Sequence, residues 1–102
     1  MRTILFFDLP TLTLANQRAY RKFIKFLKKN GFYMLQESVY VKMSIDQQAV
    51  DSTINKIRTE LPSSGSVIAL NVTEKQFSSM NILLGEIETD VLTTSDRIII
   101  LW

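Results

Sequence analysis

Residues 14–43 read LANQRAYRKFIKFLKKNGFYMLQESVYVKM, and the fold turns on them. In the first half, Ala19, Phe23, Ile24 and Leu27 recur at three- and four-residue spacing, the apolar stripe of an amphipathic helix over residues 14–30. Asn30-Gly31 stops it, because glycine takes the left-handed cap conformation at little cost. Past Gly31 the period changes to two. Val39, Val41 and Met43 alternate with Ser38, Tyr40 and Lys42, the pattern of a half-buried strand. Residues 32–43 are therefore extended, either as one long bent strand or as two short ones broken near Gln36-Glu37. No Asn-Gly or Asp-Gly pair marks that break.

Toward the N-terminus, residues 2–8 form a strand. Ile4, Leu5, Phe6 and Phe7 make it apolar on both faces, as a central strand requires, and Leu9-Pro10 ends it, since proline has no amide proton for the ladder. Toward the C-terminus, Ser44-Ile45-Asp46-Gln47 opens a second helix in capping-box style. Val50, Ile54, Ile57 and Leu61 follow at i, i+4, i+7 and i+11 and are expected to face the core. Pro62 ends that helix, Ser63-Ser64-Gly65-Ser66 is a loop, and residues 67–73 are a strand. Residues 80–84 and the run Ile98-Ile99-Ile100-Leu101-Trp102 are late strand candidates. The order strand, helix, extended pair, helix, strand is the ferredoxin-like split βαβ pattern, an α+β βαββαβ sandwich, with additional C-terminal strands. We expect one domain over residues 1–102, with 80–102 an extension used in dimer or partner contact. The doubly apolar run 98–102 must join a sheet edge, its own or a partner's.

Composition bounds the chemistry. A chain of 102 residues has room for one core. It has no histidine, so imidazole acid–base chemistry and a Ser-His-Asp triad are excluded. With no cysteine either, so is a structural zinc site. Catalysis would fall to carboxylates holding Mg²⁺ or Mn²⁺ through oxygen. No apolar run approaches the roughly 20 residues of a membrane helix, and the short apolar stretch after Met1, closed by Asp8, does not read as a signal peptide. Without cysteine the default expectation is a reducing cytoplasm.

The net charge of +2 hides an asymmetry: residues 1–42 carry eight basic residues against Asp8 and Glu37, a balance of +6, and the remainder carries −4. Six of the twelve basic residues, Arg18, Arg21, Lys22, Lys25, Lys28 and Lys29, fall on the first helix, which has no acid. Arg18, Lys22, Lys25 and Lys29 form a stripe in which like charges at i, i+4 cost about 0.2–0.5 kcal/mol per pair. Two readings are open. The stripe meets a polyanion, where each neutralised phosphate releases counterions, or it is a solvated face whose acids lie elsewhere in the fold. Asp8, the only acid in the first 36 residues, ends a buried strand. It is either a turn aspartate or a metal ligand, and in the second case a two-fold axis near it would supply a second carboxylate. Tyr40 either stacks on a base or approaches a phosphate, or it packs in the core. A ferredoxin-like protein-interaction domain that binds no nucleic acid is the remaining alternative.

Four blocks in register carry a resemblance. Phe6-Phe7-Asp8-Leu9-Pro10, Arg21-Lys22-Phe23 through Lys29-Asn30-Gly31-Phe32, Gln36-Glu37-Ser38-Val39-Tyr40 and Val72-Thr73-Glu74-Lys75-Gln76-Phe77 resemble the CRISPR-associated protein 2 family, in particular its type II-A branch. The resemblance implies a ferredoxin-like homodimer. The dimer would join the larger CRISPR-associated integrase subunit in the complex that inserts spacers into the CRISPR array, and would there bind duplex DNA and bridge integrase dimers. It also implies a Mg²⁺-dependent (or Mn²⁺-dependent) endonuclease acting on RNA or double-stranded DNA. In that case Asp8 matches the metal aspartate, with the ion held between subunits, and Ser38 and Tyr40 match the family's catalytic segment. Some members carry an arginine just before that segment, where Met34 stands here.

Overall fold

A computed structural model describes residues 1–85 of the chain; the run 98–102 and most of the expected C-terminal extension lie outside them. The elements are β1 (Arg2–Asp8), α1 (Leu14–Lys29), β2 (Tyr33–Gln36), β3 (Val39–Met43), α2 (Gln47–Thr59), β4 (Ser66–Val72) and α3 (Glu74–Ser78). The strands form one antiparallel sheet in the order β2-β3-β1-β4. β1 is central, as its doubly apolar sequence demands, and pairs along its length with β3 and β4. Each long helix connects two strands that flank a third, which is the ferredoxin-like arrangement.

The alternation of β1 divides the core. Leu5 and Phe7 turn toward α1 and α2 and pack with Phe23, Leu27, Phe32, Tyr40 and Ile57. Ile4 turns to the other face with Val41, where Phe77 of α3 covers them and Met80 and Ile82 pack alongside. Leu27, Val41 and Val50 are wholly buried. Truncating Leu27 to alanine costs about 2–5 kcal/mol.

Local chemistry explains the element ends. Thr13 caps α1 by accepting from the Asn16 N–H at 3.1 Å. At its far end Asn30 closes the helix: its backbone N–H donates to the Phe26 and Leu27 carbonyls and its side-chain amide to Phe26 O at 2.8 Å. The extended segment after Gly31 resolves into two strands joined at Glu37-Ser38.

Three expectations are corrected. Leu61 does not face the core: α2 ends at Thr59 with Glu60 as its cap, and Leu61 lies beyond it, 47% exposed. Residues 80–84 are not a strand; Met80 and Ile82 pack onto the open face of the sheet as single plugs, while Leu83 and Leu84 face solvent. Between β4 and that segment lies α3, which the alternation of residues 67–73 did not foreshadow. Thr73 and Gln76 build its capping box, with Gln76 N–H donating to Thr73 Oγ1 and Thr73 N–H to Gln76 Oε1. Among the described residues no helix is long and apolar enough to cross a membrane.

Candidate functional site

Asp8 is the last residue of β1. By the alternation of the strand, Phe7 points to the helices, and Phe6 and Asp8 to the open face; both are exposed. Two tight turns bracket this end of the strand. On one side Asp8 pairs with Ser66 of β4. Gly65, just before it, has φ +103°, and a Cβ there would lie 2.7 Å from the Asp8 carbonyl oxygen and 2.8 Å from Leu9 Cδ2. Both the conformation and the space require glycine. On the other side, Phe7 N–H donates to the Ser38 carbonyl at 3.0 Å. Ser38 has φ +64°, a left-handed conformation uncommon for serine, and so turns β2 into β3. The fold thus brings Asp8 and the Ser38 backbone to the same end of the sheet.

Tyr40 is not with them. It pairs with Leu5 on the helix-facing side, is 4% exposed, and its ring lies 5.6 Å from that of Phe7. Burial, and then the neighbouring Tyr20, hold its hydroxyl above the ordinary phenol value. A ring so enclosed has no free face for a base, so the packing role fits the geometry.

The six cations of α1 are all exposed, while Phe23 and Leu27 on the opposite side of the helix are buried. The two ion pairs between described residues both go to Glu74, from Met1 and Arg2. No carboxylate among the described residues therefore forms an ion pair with the α1 stripe. The stripe lies on the helical layer and the Asp8 side chain on the open face, so the sheet separates them.

Among the described residues no three acids converge as a metal cage. At the end of β1 the exposed Asp8 carboxylate offers one hard oxygen donor. Magnesium takes one or two protein carboxylates and completes its shell with water or phosphate oxygens, so Asp8 fits as one such ligand.

The open face carries a device that the sequence reading missed. Arg2 is buried there, with its guanidinium 4.7 Å from the Phe77 ring centroid. Its Nε donates to both carboxylate oxygens of Glu74, at 2.9 and 3.1 Å. This clamp seats α3 over Ile4 and Val41. Beyond α3 the face stays open: Phe6, Ile68 and Leu70 are exposed, and a groove of about 680 Å³ runs between Phe6, Val39, Phe77 and Ile82. The long-range partner of Arg2, 72 residues away, has no local sequence signal; the start of α3 had one that the sequence reading missed, the Thr73-x-x-Gln76 capping-box spacing.

Comparison with known proteins gives concordant results. The family model described as CRISPR associated protein Cas2 matches residues 1–80. A protein of Treponema denticola named CRISPR-associated endoribonuclease Cas2 is 44% identical over 101 residues, covering 99% of this chain and all of the relative. Proteins of the same name from Streptococcus mutans serotype c (strain UA159) and Acidovorax ebreus are 43% and 45% identical. They cover 99% and 83% of this chain, and 93% and 83% of their own lengths.

Proposed function

Because this chain belongs to the CRISPR-associated protein Cas2 family, we propose that it serves CRISPR adaptation as a homodimer that holds duplex DNA by its backbone and bridges two dimers of the larger integrase subunit. The observation that carries this reading is the α1 stripe, with six exposed cations and no acid among the described residues to neutralise them. Phosphate contacts fix position without reading sequence, which suits a subunit that must accept any spacer. The exposed apolar patch of Phe6, Ile68 and Leu70 supports the dimer, since such a patch on a small domain is ordinarily covered by a partner.

The test is duplex binding by a variant with Arg18, Lys22 and Lys25 changed to alanine. Affinity should fall alike for unrelated sequences, and the slope of log K against log salt should flatten by about 0.9 per lost phosphate contact. Unchanged binding, or loss on one sequence only, refutes the reading.

A second reading draws on Asp8 and on the relatives' name, CRISPR-associated endoribonuclease. In it, Asp8 from each of two protomers would hold Mg²⁺ or Mn²⁺ across the two-fold axis. A bound divalent ion would supply water activation and charge stabilisation on the phosphate, the two tasks that a chain without histidine cannot give to imidazole. The chain's own part is positional. Gly65 and the Ser38 carbonyl fix the end of β1, so the Asp8 carboxylate is presented at a set height above the open face. The Ser38 hydroxyl lies at the same end of the sheet and could contact an RNA or DNA strand; the Tyr40 ring would act through Phe7, by holding β1 in place.

A further inference from the structure

The basic surface does not end with α1. Lys42 pairs with Thr3 across β3 and β1, which puts it on the helix-facing side of the sheet, half-buried. Its stem runs over the corner where α1 gives way to β2: Cε and Cδ lie 3.6 and 3.9 Å from the position a Cβ would take on Gly31. Lys28 and Lys29 stand in the last turn of α1 just before that corner. From the other side Lys56 of α2 is near enough for its charge to act on Lys42. Burial first, and then this neighbour, hold the Lys42 ammonium below its ordinary value of 10.5.

Among the described residues nothing answers these charges. No carboxylate among the described residues is within ion-pair distance of Lys42 or Lys56. Asp51, on the surface of α2 beside Lys56, accepts from Gln47 Nε2 at 3.0 Å instead. The negative end of α1 is not waiting for Lys42 either. The carbonyls of Phe26, Leu27 and Lys28 already accept from the backbone of Asn30, Gly31 and Phe32 and from the Asn30 side chain. A methionine would cover Gly31 as well as the lysine stem does, without facing a like charge. Among the described residues the ammonium group therefore meets a like charge and no carboxylate that offsets it.

We infer that Lys42 and Lys56 form a phosphate subsite at the C-terminal corner of α1, carrying the nucleic-acid backbone footprint from the Arg18–Lys29 stripe across onto α2. The inference rests on the reading of this chain as a backbone binder. A phosphate at the corner would neutralise both ammonium groups at once.

The experiment compares wild type, Lys42→Met, Lys42→Met with Lys56→Met, and the α1 triple alanine variant. Binding of one 30-base-pair duplex is titrated over a series of salt concentrations, and each thermal midpoint is recorded. Lys42→Met should bind more weakly with a salt slope flatter by about one unit, and the double variant by about two. Neither should melt below wild type, because a like-charge contact has been removed. In wild type, the Lys42 ammonium followed by NMR should titrate at higher pH with duplex bound than without. Wild-type affinity and slope in the double variant would overturn the subsite, whatever the α1 variant does. Unchanged binding by the α1 variant would instead count against the stripe and leave the Lys42 result to be read on its own.

Discussion

The clamp between Arg2 and Glu74 makes α3 an integral part of the sheet's open face, and its removal is the most quantitative test of the fold. The Arg2 side chain is 4% exposed and that of Glu74 45%. Glu74→Ala therefore removes the carboxylate that the Nε of this buried guanidinium meets. Breaking a fully buried ion pair costs about 3–5 kcal/mol, but water reaches the Glu74 side of this one. The two Nε contacts at 2.9 and 3.1 Å to a single carboxylate then count as a hydrogen bond between charged groups, about 1.5–3 kcal/mol. For a domain of this size each kcal/mol moves the thermal midpoint by roughly 4–8 °C, so a fall on the order of 10 °C is expected in calorimetry. A Glu74→Ala midpoint within 2 °C of wild type, about 0.5 kcal/mol or less, would refute the claim that this pair seats α3.

Two further outcomes follow from the site. Gly65→Ala places a methyl 2.7 Å from the Asp8 carbonyl at a φ that alanine avoids, so it should cost about 2 kcal/mol or more in urea unfolding and displace the amide signals of Asp8 and Leu9. A variant as stable as wild type would show that β4 does not press on Asp8. Tyr40 has its pKa raised above the ordinary 10.0 by burial. Its contribution is thus fully present below pH 10.0 and is lost as pH rises through the higher folded value. Tyr40→Phe, which keeps the ring, should lose less stability between pH 9 and pH 11 than wild type, and parallel curves would place the hydroxyl in solvent.

Much of the fold was legible because its signals are local. The period change at Gly31, the doubly apolar β1 and the stop at Asn30 each depend on neighbours in the chain, and each matches the structure. Leu61 misled because periodicity does not record where a helix ends: Glu60 caps α2 before the next turn forms. Residues 80–84 misled because a short apolar run reads alike whether it pairs or merely packs, and here Met80 and Ile82 pack. The Arg2–Glu74 clamp and the approach of Gly65 to Asp8 depend on pairings many residues apart, which no window of sequence contains. The α1 cations were visible at once; what the structure adds is that no carboxylate among the described residues meets them. Lys42 read only as an alternating polar residue, and its position over Gly31 emerges once β3 is paired with β1.

The central claim is that this chain holds DNA for spacer integration, with any chemistry at Asp8 separable from that task. The sheet divides the α1 stripe from the Asp8 side chain, and one carboxylate contributes nothing to a footprint made of cations. The direct measurement is spacer integration by Asp8→Asn together with the integrase subunit, alongside Mg²⁺-dependent cleavage of RNA and duplex DNA by the same preparation and sedimentation to establish its oligomeric state. The account predicts near-normal integration by a folded dimer and loss of any cleavage that wild type shows. A folded Asp8→Asn dimer that binds DNA but fails to support integration would contradict it.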